Sequence, residues 1–404
     1  MGILNNVNWW WYCKICEKNQ LEKAFSLGKQ PLANKYPRDD FEIDNEKLYE
    51  MDIFFCNNCL SCKIDVDIPR DLFFQDYFYL SSVNKELVEH FEDLALELKD
   101  KKFVLDIGSN DGILLKPLKQ YKVKFLGIDP SENVGKIANS NGLTTLISFF
   151  NQESSKEIIK IGGRPDCIVA SSVFTHLEDP LTFIEDVYNL LDDNGTFIIE
   201  VEYLKNILEQ VQFERFYFDR PFYYSLHSLQ KLFDKKNMKI IDVKPIKAHG
   251  GSIRVYLKKN KVVSKISENV LSMLREEKNK LSMAYAKSCF NIFKSEIKIL
   301  KDNLENFKLK NLNVIGYGAP ARLATITNFG KIDKNLIKFI IDDSPLKVNR
   351  FTPGSHIPIK NYETIKDNFY REIILFAYEY YSSIKSKFLN KDVNFYKPIP
   401  MKKL

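Results

Sequence analysis

Short apolar runs alternate with polar turns along much of this chain, and they predict an α/β protein. Residues 103–113 hold an apolar run that reaches Asp106, a turn through Gly108 and Gly112, and then apolar residues at helical spacing. Residues 125–130 form another short apolar run that ends at Asp129. A buried strand, a glycine turn that opens a helix and an acid after the next strand are typical of a nucleoside-binding half of a doubly wound sheet.

The same arrangement returns near the end of the chain. Residues 312–322 contain an apolar run, two glycines and the start of a helix, and residues 338–343 and 372–377 supply further short strands. Between the two regions, residues 262–307 lack proline and glycine and place apolar residues at mostly three- and four-residue steps. That spacing predicts a helix with one buried stripe. The stripe suits either packing against the chain's own domains or a dimeric coiled coil.

These patterns divide the chain into four parts. We predict a cysteine-rich module at residues 1–70, a first doubly wound domain at 71–259, a helical connector at 260–310 and a second Rossmann-like domain at 311–404. Within the first domain, residues 240–243 and 251–257 are expected to form an antiparallel edge of the sheet. The predicted fold class is therefore α/β, with two Rossmann-like doubly wound domains and a small cysteine-rich module at the N-terminus.

Composition narrows the class of protein. The chain has 404 residues, of which 45% are hydrophobic and 28% charged, as in an ordinary soluble protein. We find no apolar run of membrane-spanning length and no apolar signal-peptide core, so we expect a cytoplasmic protein. The net charge of +6 is mild and the lysines are scattered, whereas a nucleic-acid partner requires a concentrated basic stripe. The balance suits a small anionic substrate, bound by a monomer or a homodimer.

Two cysteine pairs predict a metal site in the first module. Cys13 and Cys16 form one C-x-x-C knuckle, and Cys56 and Cys59 form a second. In a chain without a secretion signal, paired knuckles indicate tetrahedral zinc rather than disulfides. Four thiolates leave no open coordination position, so the zinc should be structural. Cys62 is a spare or substitute ligand, and free buried cysteines are the alternative.

The charge of the first turn indicates its ligand. Asp106 and Asp111 would repel the phosphates that the usual Gly-x-G-x-x-Gly turn binds. A ligand without phosphates and with a cationic centre fits better, and S-adenosylmethionine is such a ligand. A turn that binds nothing is the alternative. The predicted cofactor-binding residues lie at the end of the first strand and in its turn, at the end of the second strand, and in or just after the strand at 166–173: Asp106, Gly108, Asn110, Asp111, Gly112, Asp129, Ser171, Phe174 and His176.

The second turn has the opposite character. It lacks acids, and Arg322 stands just inside the following helix, so a phosphate could bind at that helix N-terminus. We therefore predict Gly318 and Arg322 as substrate-binding residues. A copy of the fold that has lost its ligand is the competing interpretation. Arg254, on the strand after Gly251, could also meet a phosphate or a carboxylate.

Several motifs together resemble the bacterial sugar C-methyltransferases that act on nucleotide-linked 4-keto deoxysugars. The resemblance covers nearly the whole chain. It includes both cysteine knuckles and residues 31–34, 79–82, 89–90, 106–112, 249–254, 316–321, 353–354 and 357–359. It implies a zinc-binding N-terminal domain, a central methyl-donor domain and a C-terminal domain that helps to hold the nucleotide diphosphate of the sugar.

One motif departs from that family. The family has Tyr-His-Glu-His before an aromatic run and Ser-Leu, and its second histidine is thought to take the proton from the methylated carbon. Alignment on Ser225 puts Tyr217, Phe218, Asp219 and Arg220 at those places. Arginine has a pKa above 12 and stays protonated near neutral pH, so Arg220 cannot be the base. We predict Arg220 as a substrate contact instead.

Three interpretations of the chemistry follow. The protein could methylate a carbon next to a ketone with another base, for which Asp219, Tyr217, His249 and His176 are candidates in that order. It could instead methylate a sugar hydroxyl or amine, whose proton leaves more easily. It could also be a binding module that has kept the folds. Tyr79 could contact the substrate or fill a local aromatic cluster.

Overall fold

The computed structural model describes residues 12–64, 68–69, 73, 80–364, 370–389 and 391–404. The N-terminal module is built on antiparallel strands: β1 (Leu21–Gln30), β2 (Tyr49–Cys56) and β3 (Cys62–Ile64). Helix α1 (Asp40–Asp44) lies between β1 and β2 and is N-capped by Asp39, whose side chain accepts a hydrogen bond from the backbone NH of Glu42. Phe25 and Phe55 are buried on this sheet.

The central domain is organised around a seven-stranded sheet. Residues 103–259 contain eight strands, and all except β9 belong to this sheet. They are β4 (Phe103–Ile107), β5 (Lys124–Asp129), β6 (Thr145–Ile147), β7 (Cys167–Ser171), β8 (Thr196–Glu202), β9 (Phe222–Tyr223), β10 (Met238–Ile246) and β11 (Ser252–Lys259). The strand order is β10-β11-β8-β7-β4-β5-β6, with β4 to β8 parallel and β10 and β11 antiparallel at one edge. Because the order reverses beside β4, a crevice opens at its carboxyl end.

Strand β9 belongs to a different sheet. It pairs with β3 of the N-terminal module, where Cys62 lies opposite Tyr223 and Lys63 lies opposite Phe222. The module's sheet therefore has the order β1-β2-β3-β9. Its fourth strand comes from a part of the chain that we predicted to lie within the central domain.

Helices cover both faces of the central sheet. The helices of this region are α2 (Lys85–Glu97), α3 (Leu115–Gln120), α4 (Glu132–Ser140), α5 (Gln152–Gly162), α6 (Pro180–Leu190), α7 (Leu204–Glu209) and α8 (Leu226–Asp234). Of these, α7 packs with the N-terminal module and the connector rather than on the sheet. Side-chain caps begin several of them, as in α5, where Asn151 and Ser154 form a capping box. Helix α2 buries Leu87, Phe91 and Leu94, and the central strands are buried on both faces, as expected for a parallel sheet.

The connector consists of two helices rather than one continuous stripe. Helix α9 (Glu268–Lys280) ends before Leu281, and α10 (Met283–Leu309) follows. Ser282 causes the break, because its side chain accepts a hydrogen bond from the backbone NH of Tyr285 at 3.1 Å and so begins a new helix. The buried side of α10 packs on this chain's own β1 and α7.

The C-terminal domain is a second open sheet. Its strands are β12 (Val314–Tyr317), β13 (Ile340–Ile341), β14 (Ile359–Lys360), β15 (Glu372–Leu375), β16 (Asn394–Lys397) and β17 (Lys402–Lys403), in the order β14-β13-β12-β15-β16-β17. All pairs except β16–β17 are parallel. Helices α11 (Ala321–Gly330) and α12 (Tyr381–Ser386) follow β12 and β15. The predicted α/β class with parallel, doubly wound sheets is confirmed.

Within the described part of the chain, no helix combines the length and the apolar character that crossing a membrane requires.

Candidate active site

The four predicted zinc ligands lie together in the N-terminal module. The Sγ atoms of Cys13 and Cys59 are 3.7 Å apart, and those of Cys16 and Cys56 are 3.6 Å apart. All four Sγ atoms fall within 4.8 Å of one another. A tetrahedral zinc ion with Zn–S bonds of about 2.3 Å separates its sulfur atoms by about 3.8 Å, so the cluster has the size that zinc requires. The predicted structural zinc site is confirmed.

Cys62 is not part of this cluster. It lies on β3, fully buried, among the apolar side chains that pack on the other side of the module, including Phe55 and Tyr223. Burial raises the pKa of its thiol. Cys62 is thus a core residue.

The first glycine turn has the backbone shape that its sequence predicts. Gly108 and Gly112 have φ values of +74° and +86°, and Asn110 has a φ of +50°. A Cβ atom at Gly108 would collide with the side chain of Val173, so only glycine fits there. Residues just before α2 contact the turn, since the backbone NH of Ser81 donates a hydrogen bond to Asn110 Oδ1 at 3.0 Å.

Asp129 connects the turn to the next strand. Its Oδ2 accepts a hydrogen bond from the backbone NH of Asn110 at 2.9 Å, and its Oδ1 accepts one from that of Ser131 at 2.9 Å. Asp106 lies behind the turn, where burial, followed by the negative charges of Asp129 and Glu200, raises its pKa well above the ordinary range. The backbone NH of Ser82 donates to Asp111 Oδ2 at 3.2 Å. The turn is therefore acidic and largely water-excluded, which fits a cationic ligand.

Glu200 is the centre of a buried polar network at the carboxyl end of β8. Its carboxylate accepts from His90 Nε2 at 2.9 Å, from Ser171 Oγ at 2.5 Å and from Arg254 Nε at 2.7 Å. Burial alone would raise the pKa of Glu200, but the His90 hydrogen bond and the charge of Arg254 lower it to about 2. Arg254 also pairs with Glu97 at 3.2 Å. Arg254 therefore meets carboxylates of this chain, and its contact with substrate stays a prediction.

The segment that departs from the family motif lies beside this network. Arg220 Nη2 is 2.7 Å from Glu202 Oε1, and the Arg220 guanidinium carbon lies 5.2 Å from the ring centre of Tyr217. Both Tyr217 and Arg220 are largely buried. The permanent positive charge of Arg220 is balanced by the buried carboxylate of Glu202.

His176 approaches the same segment from the other side. Its Nδ1 lies 2.7 Å from the backbone oxygen of Asp219 and 3.8 Å from the carboxylate Oδ2 of Asp219. Because a carbonyl oxygen can only accept, Nδ1 must carry the hydrogen, and the lone pair of the neutral ring is then on Nε2. Burial lowers the pKa of His176. Phe174, two residues earlier, stacks on Phe233 in the apolar core.

The second glycine turn repeats the backbone pattern of the first. Gly318 has a φ of +84°, and a Cβ atom there would come within 3.0 Å of the backbone nitrogen of Ala377. Asp342, after β13, accepts hydrogen bonds from the backbone NH of Ala319 at 2.7 Å and from that of Ser344 at 2.9 Å. Sequence reasoning missed Asp342, although the acids at 342–343 were the available signal.

Arg322 lies in a buried ion-pair cluster beside that turn. Its Nε donates to the backbone oxygen of Phe376 at 2.9 Å, and both terminal nitrogens bond to the carboxylate of Glu379. Arg215 of the central domain approaches the same carboxylate at 3.4 Å. Burial alone would raise the pKa of Glu379, but the hydrogen bonds and charge of Arg322 lower it. Arg215 and Glu379 were missed, because nothing in the local sequence connects either of them to Arg322.

Two predicted residues cannot be placed. Tyr79 and the side chain of His249 lie outside the described residues. Their roles stay predictions, as do the ligand contacts of the residues located above.

Comparisons with known proteins agree with this layout. A zinc binding domain family matches residues 13–74, a methyltransferase domain family matches 79–243, and a C-methyltransferase C-terminal domain family matches 247–400. The C-methyltransferase NovU of Streptomyces niveus is 27% identical over 96% of this chain and 95% of its own length. A ubiquinone biosynthesis O-methyltransferase of Azorhizobium caulinodans is 28% identical, over 30% of this chain and 49% of its own length.

Among solved structures, magnesium protoporphyrin IX methyltransferase of Synechocystis PCC 6803 aligns over its full length with 48% of this chain. Its TM-score is 0.35 at 14% identity. The acidic turn and the family matches together define an S-adenosylmethionine-dependent methyltransferase. More narrowly, the chain has the zinc-binding, methyltransferase and C-terminal domains of a C-methyltransferase.

Proposed function

We propose that this protein transfers a methyl group from S-adenosylmethionine to a carbon atom next to a ketone in a nucleotide-linked sugar. The position of the 217–220 segment carries this proposal. Arg220 and Tyr217 lie beside His176 and Glu202 in the central domain. Burial raises the pKa of Tyr217, and the positive charges of nearby Arg215 and Arg322 act against that rise. A substrate at this segment would therefore meet both domains.

The arginine cluster supports a nucleotide diphosphate as the anionic part of the substrate. Arg215 and Arg322 both point to one carboxylate, Glu379, and Lys397 lies 4.7 Å from the ring centre of neighbouring Tyr378. Guanidinium groups bind phosphate oxygens with the same paired geometry that they use for carboxylates. We infer that a diphosphate takes the place that Glu379 occupies here, with the sugar extending toward Tyr217.

The base in this proposal is His176. The hydrogen bond from Nδ1 to the Asp219 carbonyl fixes the tautomer, so that Nε2 accepts the proton. Because burial lowers its pKa, the ring is neutral at pH 7 and can take up a proton. Arg220 cannot do this, since it stays charged. Among the candidate bases whose side chains the structure describes, His176 combines a fixed tautomer with a lowered pKa.

The proposed reaction has two steps, removal of a proton from carbon and transfer of the methyl group. S-adenosylmethionine supplies an electrophilic methyl group. His176 takes the proton from the carbon next to the ketone, and the negative charge moves to the ketone oxygen, where the permanent charge of Arg220 would stabilise it. The carbon would then form the bond to the methyl group while the methyl–sulfur bond breaks, the electron pair of that bond stays on sulfur, and S-adenosylhomocysteine leaves. The turn around Asp106, which is buried, would hold the positively charged donor and keep water from it.

Replacement of the base tests this assignment. We expect His176→Asn to lower kcat by about 10²- to 10⁴-fold, the usual contribution of a general base, and to stop exchange of the substrate C–H for deuterium in D2O. Asp219→Asn is the matched control, because it keeps the backbone carbonyl that orients His176. Deuterium exchange and kcat should survive in that variant. The opposite ranking of the two variants would make Asp219 the base.

The pH profile gives a second test of His176. A histidine with a lowered pKa stays in its basic form to more acidic pH than usual. We therefore expect the acid limb of kcat/KM to lie below the ordinary histidine value of about 6.5, with activity falling as pH drops through that limb. An acid limb at or above 6.5 would contradict the assignment.

A further inference from the structure

The segment that carries Tyr217 and Arg220 lies on the zinc-binding module. Residues 213–225 connect α7 to α8, and they touch the module at their middle and at their end. Phe216 packs on Phe25 of β1, with ring centres 5.5 Å apart. Phe218 packs on Tyr49 of β2, with ring centres 5.9 Å apart. Every second side chain in this part of the segment is thus anchored on the module's sheet.

The backbone of the same segment is also held by the module. Strand β9 pairs with β3, and the backbone NH of Ile64 donates to the oxygen of Pro221 at 3.0 Å. Pro221 directly follows Arg220. The position of Arg220 therefore depends on where β3 lies.

The end of the segment is tied to a zinc ligand. Ser225 Oγ donates to the backbone oxygen of Cys59 at 3.0 Å. Ser225 Oγ also accepts a hydrogen bond from the backbone NH of Ser228 at 3.0 Å, so Ser225 caps α8 as well. Both groups are fully buried. One hydroxyl thus connects the Cys56–Cys59 knuckle to the helix that follows the segment.

The cofactor turn, by contrast, is supported from elsewhere. The hydrogen bonds to Asn110, Asp111 and Asp129 come from residues 81–82, from Ser131 and from the turn itself. Among the described residues, none of these bonds involves the zinc-binding module. The knuckle cysteines do share an apolar core with strand β4 and with Phe174. We therefore expect defects in the module to affect the 217–220 segment first and the hydrogen bonds of the cofactor turn less.

We propose that the zinc knuckle is a positioning element for the substrate-binding segment, and that it acts through the Ser225–Cys59 hydrogen bond and the β3–β9 pairing. Four thiolates on one ion fix the Cys56–Cys59 turn, and this turn fixes the position of the segment. This role goes beyond structural stabilisation of the module. It rests on the proposed function, in which Tyr217 and Arg220 face the sugar.

A matched pair of variants tests the proposal in the full-length, zinc-loaded protein. Ser225→Ala removes the bond to Cys59 together with one half of the α8 capping box. Ser228→Ala removes the other half, in which Ser228 Oγ accepts from the backbone NH of Ser225 at 2.9 Å, and keeps the bond to Cys59. Both variants lose comparable helix-capping stability. Only Ser225→Ala removes the side-chain hydrogen bond to the knuckle.

We expect Ser225→Ala to lower kcat/KM for the sugar substrate by roughly tenfold, the effect of losing one buried hydrogen bond. Zinc content and the Kd for S-adenosylmethionine should stay unchanged. Hydrogen exchange should rise at residues 216–225. Ser228→Ala should show none of these changes in the segment, and Ser225→Thr, which keeps the hydroxyl, should restore kcat/KM.

Each outcome is informative. Equal behaviour of the two alanine variants in kcat/KM and in exchange would overturn the proposal, as would an equal loss of donor affinity. Faster exchange in Ser225→Ala with unchanged kcat/KM would keep the coupling and refute the proposed contact between the segment and the sugar. If Ser225→Ala does not fold, chelation of the wild-type protein gives the second measurement. Exchange should then rise at residues 216–225 before it rises at residues 103–129, and the reverse order would overturn the proposal.

Discussion

The two glycine turns of this protein share one backbone frame and differ in charge. In each turn, an aspartate at the end of the neighbouring strand accepts one hydrogen bond from a backbone NH of the turn. It accepts a second one from the backbone NH of the residue two positions after it in the sequence. Asp129 does this for Asn110 and Ser131, and Asp342 does it for Ala319 and Ser344. The shared frame is a property of the fold and carries no information about the ligand.

The ligand information lies in the side chains around each frame. The first turn has Asp106 buried behind it, whereas the second has Arg322 held by Glu379. A cationic methyl donor without phosphates suits the first, and a phosphate suits the second. One fold can therefore present opposite charge at the same place in its topology.

The largest expected effect comes from removing the acid of each frame. Asp129→Ala should weaken S-adenosylmethionine binding by on the order of 100-fold, because the turn loses the two backbone hydrogen bonds that the Asp129 carboxylate accepts. Asp342→Ala should leave donor affinity unchanged and weaken nucleotide-sugar binding instead. Isothermal calorimetry with each ligand measures both. If Asp129→Ala retained wild-type donor affinity, the first turn would not be the donor site.

A smaller effect should separate Arg322 from Glu379. Arg322→Met should weaken nucleoside diphosphate binding by on the order of 30-fold, as expected for loss of charge-assisted hydrogen bonds. Glu379→Gln should strengthen it, because a competing carboxylate is removed. The two variants thus shift the Kd in opposite directions. A shift in the same direction would mean that the ion pair supports the fold and that the phosphate binds elsewhere.

The smallest effect is a pH dependence that only the first turn should show. The pKa of Asp106 is raised by burial and by the charges of Asp129 and Glu200, so the free protein keeps a proton there above the usual value of about 3.9. Donor affinity should rise as pH increases through that raised pKa, by up to tenfold per unit, because the ionised carboxylate favours a cation.

Asp106→Asn is the control for this prediction, since it has no proton to lose, and its donor affinity should be flat over the same range. Titration calorimetry in buffers of different ionisation enthalpy would also detect the proton released on binding. A wild-type affinity that does not vary with pH would show that Asp106 is ionised before the donor binds.

Local sequence patterns predicted much of this molecule. The Cys13–Cys16 and Cys56–Cys59 knuckles, and the turn that begins after β4, each consist of residues close in sequence whose spacing determines their geometry. The α/β class followed from the same short-range periodicity. These features depend on local chemistry, so the sequence contains them directly.

Other features depend on contacts between distant parts of the chain. Strand β9 has only two residues and pairs with β3 about 160 positions away, so no local pattern indicates it. The break at Ser282 was missed because apolar spacing continues on both sides of it, although a serine three residues before Tyr285 is a capping signal. Long-range pairing and capping chemistry, rather than hydrophobicity, determined these elements.

The reaction itself tests most directly whether the protein methylates carbon. The protein would be incubated with methyl-labelled S-adenosylmethionine and a panel of nucleotide-linked sugars with and without a 4-keto group, and the products would be analysed by mass spectrometry and NMR. We predict a new methyl group on a carbon next to the ketone, with loss of the C–H at that carbon, and no product from sugars that lack the ketone. A methyl group on oxygen or nitrogen would contradict this account.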